Sequence, residues 1–320
     1  MKIATAGVVV AGVIVLAALT LPILGRGTAS PLVFALVAFR SLTLLVAAIA
    51  VALIAISLLV MSGRRAAAIV AVLTALLVLP FLITLGGGTA SDVPAAHSED
   101  ELRILSWNTD QRDVDDDLMV LVEQTRPDII VLPEYFTSTA EGRFATFAEA
   151  NEMSVYGWDG SSATILIADR LGKYTMHNGD TPPWAGIYLV PERHDAPFLT
   201  VAHLQRPMLT EGADLWRQHV AWVRDRCDRG DAIAVGDFNA TLANLGSDRL
   251  GSCSEVAATL GQPESGTWPA LLPAQLGAQI DHVFAGDDWL PTWFGVLDAP
   301  GTRWSESSDH RPIFVILDRN

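Results

Sequence analysis

Long unbroken apolar runs fill the first 90 positions of the chain, and short apolar runs alternating with amphipathic stretches fill the rest. The long runs are IATAGVVVAGVIVLAALTLPIL at about 3–24, LTLLVAAIAVALIAISLLVM at 42–61 and AAAIVAVLTALLVLPFLITL at 66–85. A helix needs roughly 20 apolar residues to cross the hydrocarbon core of a bilayer, so each run predicts a transmembrane helix. None shows the polar face that a helix in a water-soluble bundle carries. A cleaved signal peptide would account for the first run and leave the other two unexplained. Pro80, near the end of the third, is compatible with a membrane span, where helix breakers are tolerated.

The pattern changes after residue 86. GGGTASDVPAAHSEDE (86–101) has no apolar period and is rich in Gly, Ala, Ser and acids. It predicts a flexible linker over 87–101, between a membrane anchor at 1–86 and a globular domain at 102–320. In that domain LRILSW, DIIVLPE, SATILIAD, AGIYLVPE, PFLTVAHL, DAIAVGDF, QIDHVFAG, WFGVLD and PIFVILD predict strands. DVDDDLMVLVEQTRP, TSTAEGRFATFAEANE and GADLWRQHVAWVRDRC predict helices, the first opened by acids that suit a helix N-terminus. Strands and helices mixed along the whole segment define an α/β class.

Charge sharpens the boundary. Residues 1–90 contain no Asp or Glu, and their basic residues are Lys2, Arg26, Arg40, Arg64 and Arg65. All 36 acidic residues and 16 of the 21 basic ones lie in 91–320, giving that part a net charge of −20. Arg64 and Arg65 sit in the short connection between the second and third runs, and positive connections favour the cytoplasm. The multi-pass anchor therefore lies in the cell membrane with Lys2, Arg64 and Arg65 inside and the acidic domain extracytoplasmic. Arg40 falls at the edge of the second run, where a long side chain can reach the interface. The two cysteines, Cys227 and Cys253, both lie in the acidic domain, and an isolated pair in an oxidising compartment predicts a disulfide.

Polar side chains recur where the predicted strands end. ILSWN ends in Asn108, IIVLPE in Glu134, LTVAH in His203, and IAVGDFN in Asp237 and Asn239. Asp281 opens a strand, and Asp309 and His310 precede the last one. Ligands of α/β sheets bind at strand ends, so one site is predicted from these residues. Any one of them alone reads as a turn former, a cap or a core histidine; their joint placement carries the prediction. Asn108, Glu134 and Asp309 are hard oxygen donors suited to Mg²⁺ or Mn²⁺. Two cysteines with no CxxC spacing leave no basis for a structural zinc site. A hard cation of this kind offsets charge on phosphoryl oxygens, and imidazoles move protons or hold phosphate oxygens.

LRILSWN, PDIIVLPE, TVAHL, VGDFNAT, IDHVF and SSDHRP, together with GTWP before IDHVF, occur in an order that resembles the endonuclease/exonuclease/phosphatase superfamily of deoxyribonuclease-like and sphingomyelinase-like hydrolases. The resemblance spans 102–320 and implies a four-layer α/β sandwich of two mixed sheets flanked by helices, here preceded by three transmembrane helices. It implies Glu134 as the main Mg²⁺ ligand, with Asn108 and Asp309 helping to place the ion. Asp237 would orient water or the leaving oxygen, Asn239 would bind phosphate, and His310 would contact the phosphoryl group with Asp281 behind it. His203 would be a second imidazole acting as general acid. Departures concern substrate: Tyr135-Phe136 follow the glutamate where the family often has a small apolar residue, and no long basic loop is present.

The expected activity is metal-dependent hydrolysis of a phosphodiester or phosphomonoester by in-line attack of water. The expected substrate is a lipid head group, a nucleic acid or a small molecule, with no protein partner. The −20 charge disfavours tight non-specific polyanion binding, which needs Lys and Arg at phosphates, and Lys173 is the only lysine besides Lys2. Arg206 and Arg311 are candidates for a phosphate rim, with Arg303 a further one. An extracellular nuclease and a catalytically silent scaffold are the alternatives. A transporter role is disfavoured because the apolar runs lack the ionisable residues that line such pathways.

Overall fold

The computed structural model describes residues 2–24, 30–61, 64–85, 87–94, 98, 101–135, 145–158, 163–207, 209–299 and 307–320. The first apolar run forms α1 (Lys2–Leu24), and the second and third form α3 (Arg40–Met61) and α4 (Arg64–Thr84). The three pack together through Ala11, Val15, Ala47, Val51, Val70 and Leu77, small and branched side chains that let apolar helices approach closely. Two described stretches, Arg40–Met61 and Arg64–Ile83, are long and apolar enough to cross a membrane; Ala4–Thr20 of α1 is a shorter apolar stretch. The expected set of three spans is thus represented by two helices of spanning length and one shorter one.

Between α1 and α3 lies an element that the hydrophobic pattern does not separate from its neighbours. Helix α2 (Pro31–Ala38) has Pro31 in its first turn, where the missing N–H costs nothing. Its eight residues are too few to span a bilayer. Phe34 instead packs into the globular domain: it is 8% exposed and meets the Trp216 ring edge-on at 5.4 Å.

The domain contains two mixed β-sheets. The first runs β12 (Trp289–Val296), β13 (Ile313–Arg319), β1 (Glu101–Ser106), β2 (Ile129–Pro133), β4 (Ala163–Ala168) and β3 (Met153–Trp158). The second runs β5 (Tyr174–His177), β6 (Gly186–Pro191), β7 (Phe198–His203), β8 (Ala232–Asp237), β11 (Asp281–Ala285), β10 (Cys253–Glu255) and β9 (Arg249–Leu250). Each sheet has one parallel pair, β1 with β2 and β7 with β8, among antiparallel neighbours.

Alternation along the strands builds the layers. Leu102, Ile104, Ile129 and Val131 point between the sheets, where they meet Ile187, Leu199, Val201, Ile233 and Val235. The interleaved Leu105, Ile130 and Leu132 face outward onto α5 (Asp115–Thr125) and α6 (Ala145–Ala150) through Leu118, Leu121 and Phe147. On the far side Ala232, Ala234 and Phe284 meet α7 (Leu209–Arg226) through Trp216, Val220 and Val223. Of the helix predicted at 137–152, only the part around α6 lies within the described residues. The pattern does not single out β3, β5, β9, β10 or the one-turn helices α8 (Leu242–Leu245) and α9 (Val256–Thr259), all short and weakly periodic.

The predicted flexible linker is laid on the domain over its described residues 87–94: Ala90 N–H donates to Val296 O at 2.7 Å, Thr89 Oγ1 to Asp298 Oδ2 at 2.8 Å, and Val93 packs against the outer layer of the first sheet. Arg40, expected at the edge of the second run, pairs through its guanidinium with Glu264 of the domain at 3.3 Å. Cys227 and Cys253 form a disulfide with 5.3 Å between their Cα atoms. It joins the end of α7 to β10.

Candidate active site

The strand-end residues meet at one mouth of the two sheets. Register explains half of this. His203 lies opposite Asp237 across the parallel β7–β8 pair, and Asp237 lies opposite Asp281 across the antiparallel β8–β11 pair. Three functional side chains therefore stand in one row of the second sheet. The first sheet contributes Asn108, two residues beyond β1, and Glu134, immediately after β2. Asp309 and His310 come from the approach to β13 and close the gap between the sheets.

The backbone is shaped for this. Asp110, Gln111, Glu134 and Asn239 adopt φ of 52°, 56°, 60° and 50°, left-handed conformations that non-glycine residues avoid unless their surroundings hold them. Gly236, at φ 134°, lets β7 and β8 approach beside the row; a Cβ there would stand 2.1 Å from Ala202 O. Ser308 Oγ donates to Asn108 O at 2.6 Å and accepts from His310 N–H at 3.0 Å. Trp107 Nε1 donates to His310 O at 2.9 Å. These bonds fasten the approach to β13 onto the end of β1.

The side chains interlock. Asn108 is buried, and its Nδ2 donates to Glu134 Oε1 at 3.2 Å and to Asp237 Oδ2 at 3.0 Å. Gln111 Nε2 donates to Glu134 Oε2 at 3.4 Å. His203 Nε2 stands 3.2 Å from Glu134 Oε1. The bond from His203 outweighs burial, and with the histidine's charge and the amides of Asn108 and Gln111 it holds the Glu134 carboxyl down to about 2. Asp237 receives Asn239 N–H at 2.7 Å and Asn239 Nδ2 at 3.2 Å; Asn239 Nδ2 also donates to Leu204 O at 2.8 Å. Burial, and next the charge of Asp281, push the Asp237 carboxyl up.

His310 sits between carboxylates. Its Nδ1 is 2.8 Å from Asp281 Oδ2, and its Nε2 is 4.0 Å from Asp237 Oδ2 and 3.9 Å from Asp309 Oδ1. Burial opposes the imidazolium, but the charge and hydrogen bond of Asp281, with Asp237 and Asp309 beyond, raise it to about 10. Asp309 is the most open of the set and accepts from Trp268 Nε1 at 2.9 Å.

The predicted rim divides. Arg206 lines the cleft, exposed, with no hydrogen-bond or ion-pair partner for its guanidinium among the described residues. Arg311 is not a rim residue. It is buried, and its guanidinium donates to Ala270 O at 2.8 Å, Leu272 O at 2.7 Å, Gly266 O at 3.3 Å and Asp298 Oδ1 at 3.3 Å. Its donors hold the loop that carries Trp268. Arg303 and Phe136 lie outside the described residues, while Tyr135 is buried with its hydroxyl on Asp115 Oδ1 at 3.0 Å.

Asp110, Gln111 and Trp268 belong to the site without having been predicted. Asp110 directly follows NT after a strand, and Trp268 lies in GTWP, so both carried a signal. The residues that lay out an apolar wall over the cleft, Pro31, Phe34, Ala35, Ala38 and Phe39, carried none.

The donor set fits a hard divalent cation. Glu134, His203 and Asp237 offer ligand atoms within 4.8 Å of one another, as do Asp237, Asp281 and His310. Of the predicted metal residues, Glu134 belongs to the first cluster and Asn108 bonds to two of its members; Asp309 lines the same cleft but belongs to neither cluster. The crowding of acids shows in Asp110, whose carboxyl is pushed up by burial and then by the charge of Asp309. Two buried polar atoms at the site, His203 Nδ1 and Asp281 Oδ1, have no hydrogen-bond partner among the described residues.

The sequence model of the Endonuclease/Exonuclease/phosphatase family matches residues 105–310. The chain belongs to that family. No curated protein matches it. Among solved structures, the catalytic domain of human Nocturnin with bound sulfate is similar at 13% identity and a TM-score of 0.50, covering 72% of this chain and 100% of its own. An endonuclease/exonuclease/phosphatase from Bacteroides vulgatus is similar at 14% identity and a TM-score of 0.49, covering 69% of this chain and 99% of its own.

Proposed function

We propose that the protein is a divalent-metal-dependent phosphoesterase, held at the outer face of a membrane by α1, α3 and α4. The observation that carries this reading is the convergence of Glu134, Asp237, Asn239, Asp309 and His310 on one cleft of about 260 Å³, with Asn108 and Asp281 bonded behind them. Glu134, with Asn108 and Asp309, would hold Mg²⁺ or Mn²⁺, which supplies positive charge against the phosphoryl oxygens.

The chain's own groups do the rest. His310, kept protonated by Asp281, directs Nε2 at a phosphoryl oxygen and stabilises the charge that builds there. Asn239 offers an amide to the same group. Asp237, buried beside them, orients the attacking water. The water oxygen bonds to phosphorus as its proton passes to Asp237, the bond from phosphorus to the leaving oxygen breaks, and His203 delivers a proton to that oxygen. A phosphodiester would yield a phosphomonoester and an alcohol.

The two ends of α3 support this sidedness. Arg40 at its start pairs with the domain, whereas Arg64 and Arg65 follow its far end, about 30 Å away for a helix of this length. Basic residues favour the cytoplasmic end, which supports an outside domain, as does the Cys227–Cys253 disulfide.

The test is hydrolysis of bis(p-nitrophenyl) phosphate by the full chain in detergent. Mg²⁺ should support turnover and chelation should abolish it. Glu134→Gln and His310→Ala should each lower kcat by about 10³-fold or more, of the order seen for lost electrostatic and acid–base groups, without changing the circular dichroism. Wild-type rates in both variants would overturn the assignment.

A further inference from the structure

The cleft has walls of opposite character. Its floor is the polar cluster described above; its outer wall is Phe34, Ala35, Ala38 and Phe39, which belong to the anchor rather than to the family-matched region. That wall is anchored firmly. Phe34 is buried against Trp216, Asn244 Nδ2 donates to Phe34 O at 3.1 Å, and the Phe39 ring lies 5.6 Å from Trp268, whose Nε1 holds Asp309.

The same wall continues away from the cleft. Ala35 and Phe39 also line a groove of about 550 Å³ that runs between α1, α2 and α3, past Leu42 and Val46 to Ala47 and Ala50. Apart from Thr43 the groove is lined by apolar side chains, and the Thr43 hydroxyl is satisfied by Leu36 O at 3.0 Å. Leu32 and Val46 at its edges are 70% and 58% exposed, so it opens sideways from the helices. A polar, anion-directed floor thus joins, through two shared residues, an apolar channel on the flank of a helical bundle.

We infer that this groove is the acyl-chain subsite of the enzyme, and that the substrate is a membrane lipid carrying a phosphate ester, entering sideways between α1 and α3. The inference rests on the phosphoesterase reading for its head-group end. The phosphate lies on the floor under His310 and Asn239, with the free guanidinium of Arg206 at the mouth. The chain crosses Ala35 and Phe39 and follows the groove toward Ala50. A lipid satisfies both ends at once. A nucleic acid satisfies neither the apolar wall nor the domain's net charge of −20, which repels polyanions.

The experiment uses the full chain in dodecyl maltoside and a phosphonate analogue of a diacyl phospholipid with a diazirine in one acyl chain. On illumination the label should concentrate on peptides covering residues 31–50. Excess dioleoyl phosphatidylglycerol should suppress it at least tenfold, whereas dioleoylglycerol, with the same chains and no phosphate, should suppress it less than twofold. Equal suppression by both, or label spread evenly over the apolar helices, would overturn the inference. A second variant reads the same point kinetically. Ala47→Trp should lower the ratio of kcat/KM for the long-chain phosphodiester to that for bis(p-nitrophenyl) phosphate by tenfold or more, and move the preferred chain length downward. An unchanged ratio and chain-length profile would count against the groove. Phosphate-dependent labelling without hydrolysis of either ester keeps the subsite and overturns the phosphoesterase reading. Hydrolysis of bis(p-nitrophenyl) phosphate without phosphate-dependent labelling keeps that reading and overturns the subsite.

Discussion

The floor and the wall of the cleft are built by opposite means. The floor is a set of polar side chains at or beside the ends of rigid strands, interlocked with one another. The wall is a single short helix of apolar residues pressed onto the domain by Phe34, Phe39 and one backbone acceptor. Damage to the floor should therefore appear in chemistry with the fold intact, and damage to the wall in docking and substrate choice with the chemistry intact.

The largest expected effect lies in the floor. Asp281 positions His310: its Oδ2 holds Nδ1, and its own N–H is held by Thr267 Oγ1 at 3.2 Å. Asp281→Asn keeps the shape and removes the charge, which in an acid–imidazole pair costs on the order of 10³–10⁴ in kcat. Mg²⁺ affinity by calorimetry should be unchanged in this variant and weakened in Glu134→Gln. An Asp281→Asn enzyme within tenfold of wild type would mean that His310 is not held in the way the floor suggests.

The difference between floor and wall also decides what could be read without coordinates. Asn108, Glu134, His203, Asp237 and Asp281 stand out because a polar side chain ending a run of Val, Ile and Leu breaks its own pattern. One register then stacks three of them in a row. Arg311 was legible as a charge beside His310 but not as a buried one; four acceptors on a distant loop and on Asp298 determine its direction. Phe34 was not legible at all, since an apolar residue in an apolar segment carries no sign of whether it faces lipid or protein. The docked linker was missed for a related reason. Its hold on Val296 O runs through the backbone N–H of Ala90, which every non-proline residue has.

The next effect is on the backbone under the floor. Gly236→Ala places a Cβ against Ala202 O, a backbone atom that cannot rotate away. Overpacking and forced backbone shifts of this kind cost about 3 kcal/mol, so the thermal midpoint should fall by several degrees and activity should fall with it. A variant of unchanged stability would show that β7 and β8 can separate at this point.

Acid should weaken the second sheet's flank through His219. It is fully buried, its Nδ1 accepts from Gln205 N–H at 3.0 Å, and burial, followed by the nearby His203 charge acting in the same direction, lowers it to about 4. A histidine that binds its proton less readily folded than unfolded stabilises the fold above its unfolded value, near 6.5, and loses that contribution as pH falls toward 4. The full interval corresponds to about 3 kcal/mol. The thermal midpoint of the wild type should decline more steeply between pH 6.5 and 4 than that of His219→Gln. Parallel curves would mean that His219 is not held neutral.

The smallest effect belongs to the wall, and it separates docking from catalysis most cleanly. Arg40 and Glu264 meet at 3.3 Å with side chains 35% and 23% exposed, so solvent screens the pair and its coupling should be about 0.5 kcal/mol, in the range of surface ion pairs. Arg40→Ala, Glu264→Ala and the double variant should therefore unfold within a degree or two of the wild type. The pair nevertheless joins the start of α3 to the domain beside the Phe39–Trp268 contact, and the groove depends on that alignment. The same variants should lower the ratio of long-chain to soluble-ester turnover by a few-fold while leaving kcat on bis(p-nitrophenyl) phosphate alone. A double-mutant cycle on that ratio, rather than on stability, is the sensitive measurement. Additive effects in it would mean that Phe34 and Phe39 seat the wall by themselves, and that the ion pair is incidental to how the anchor meets the cleft.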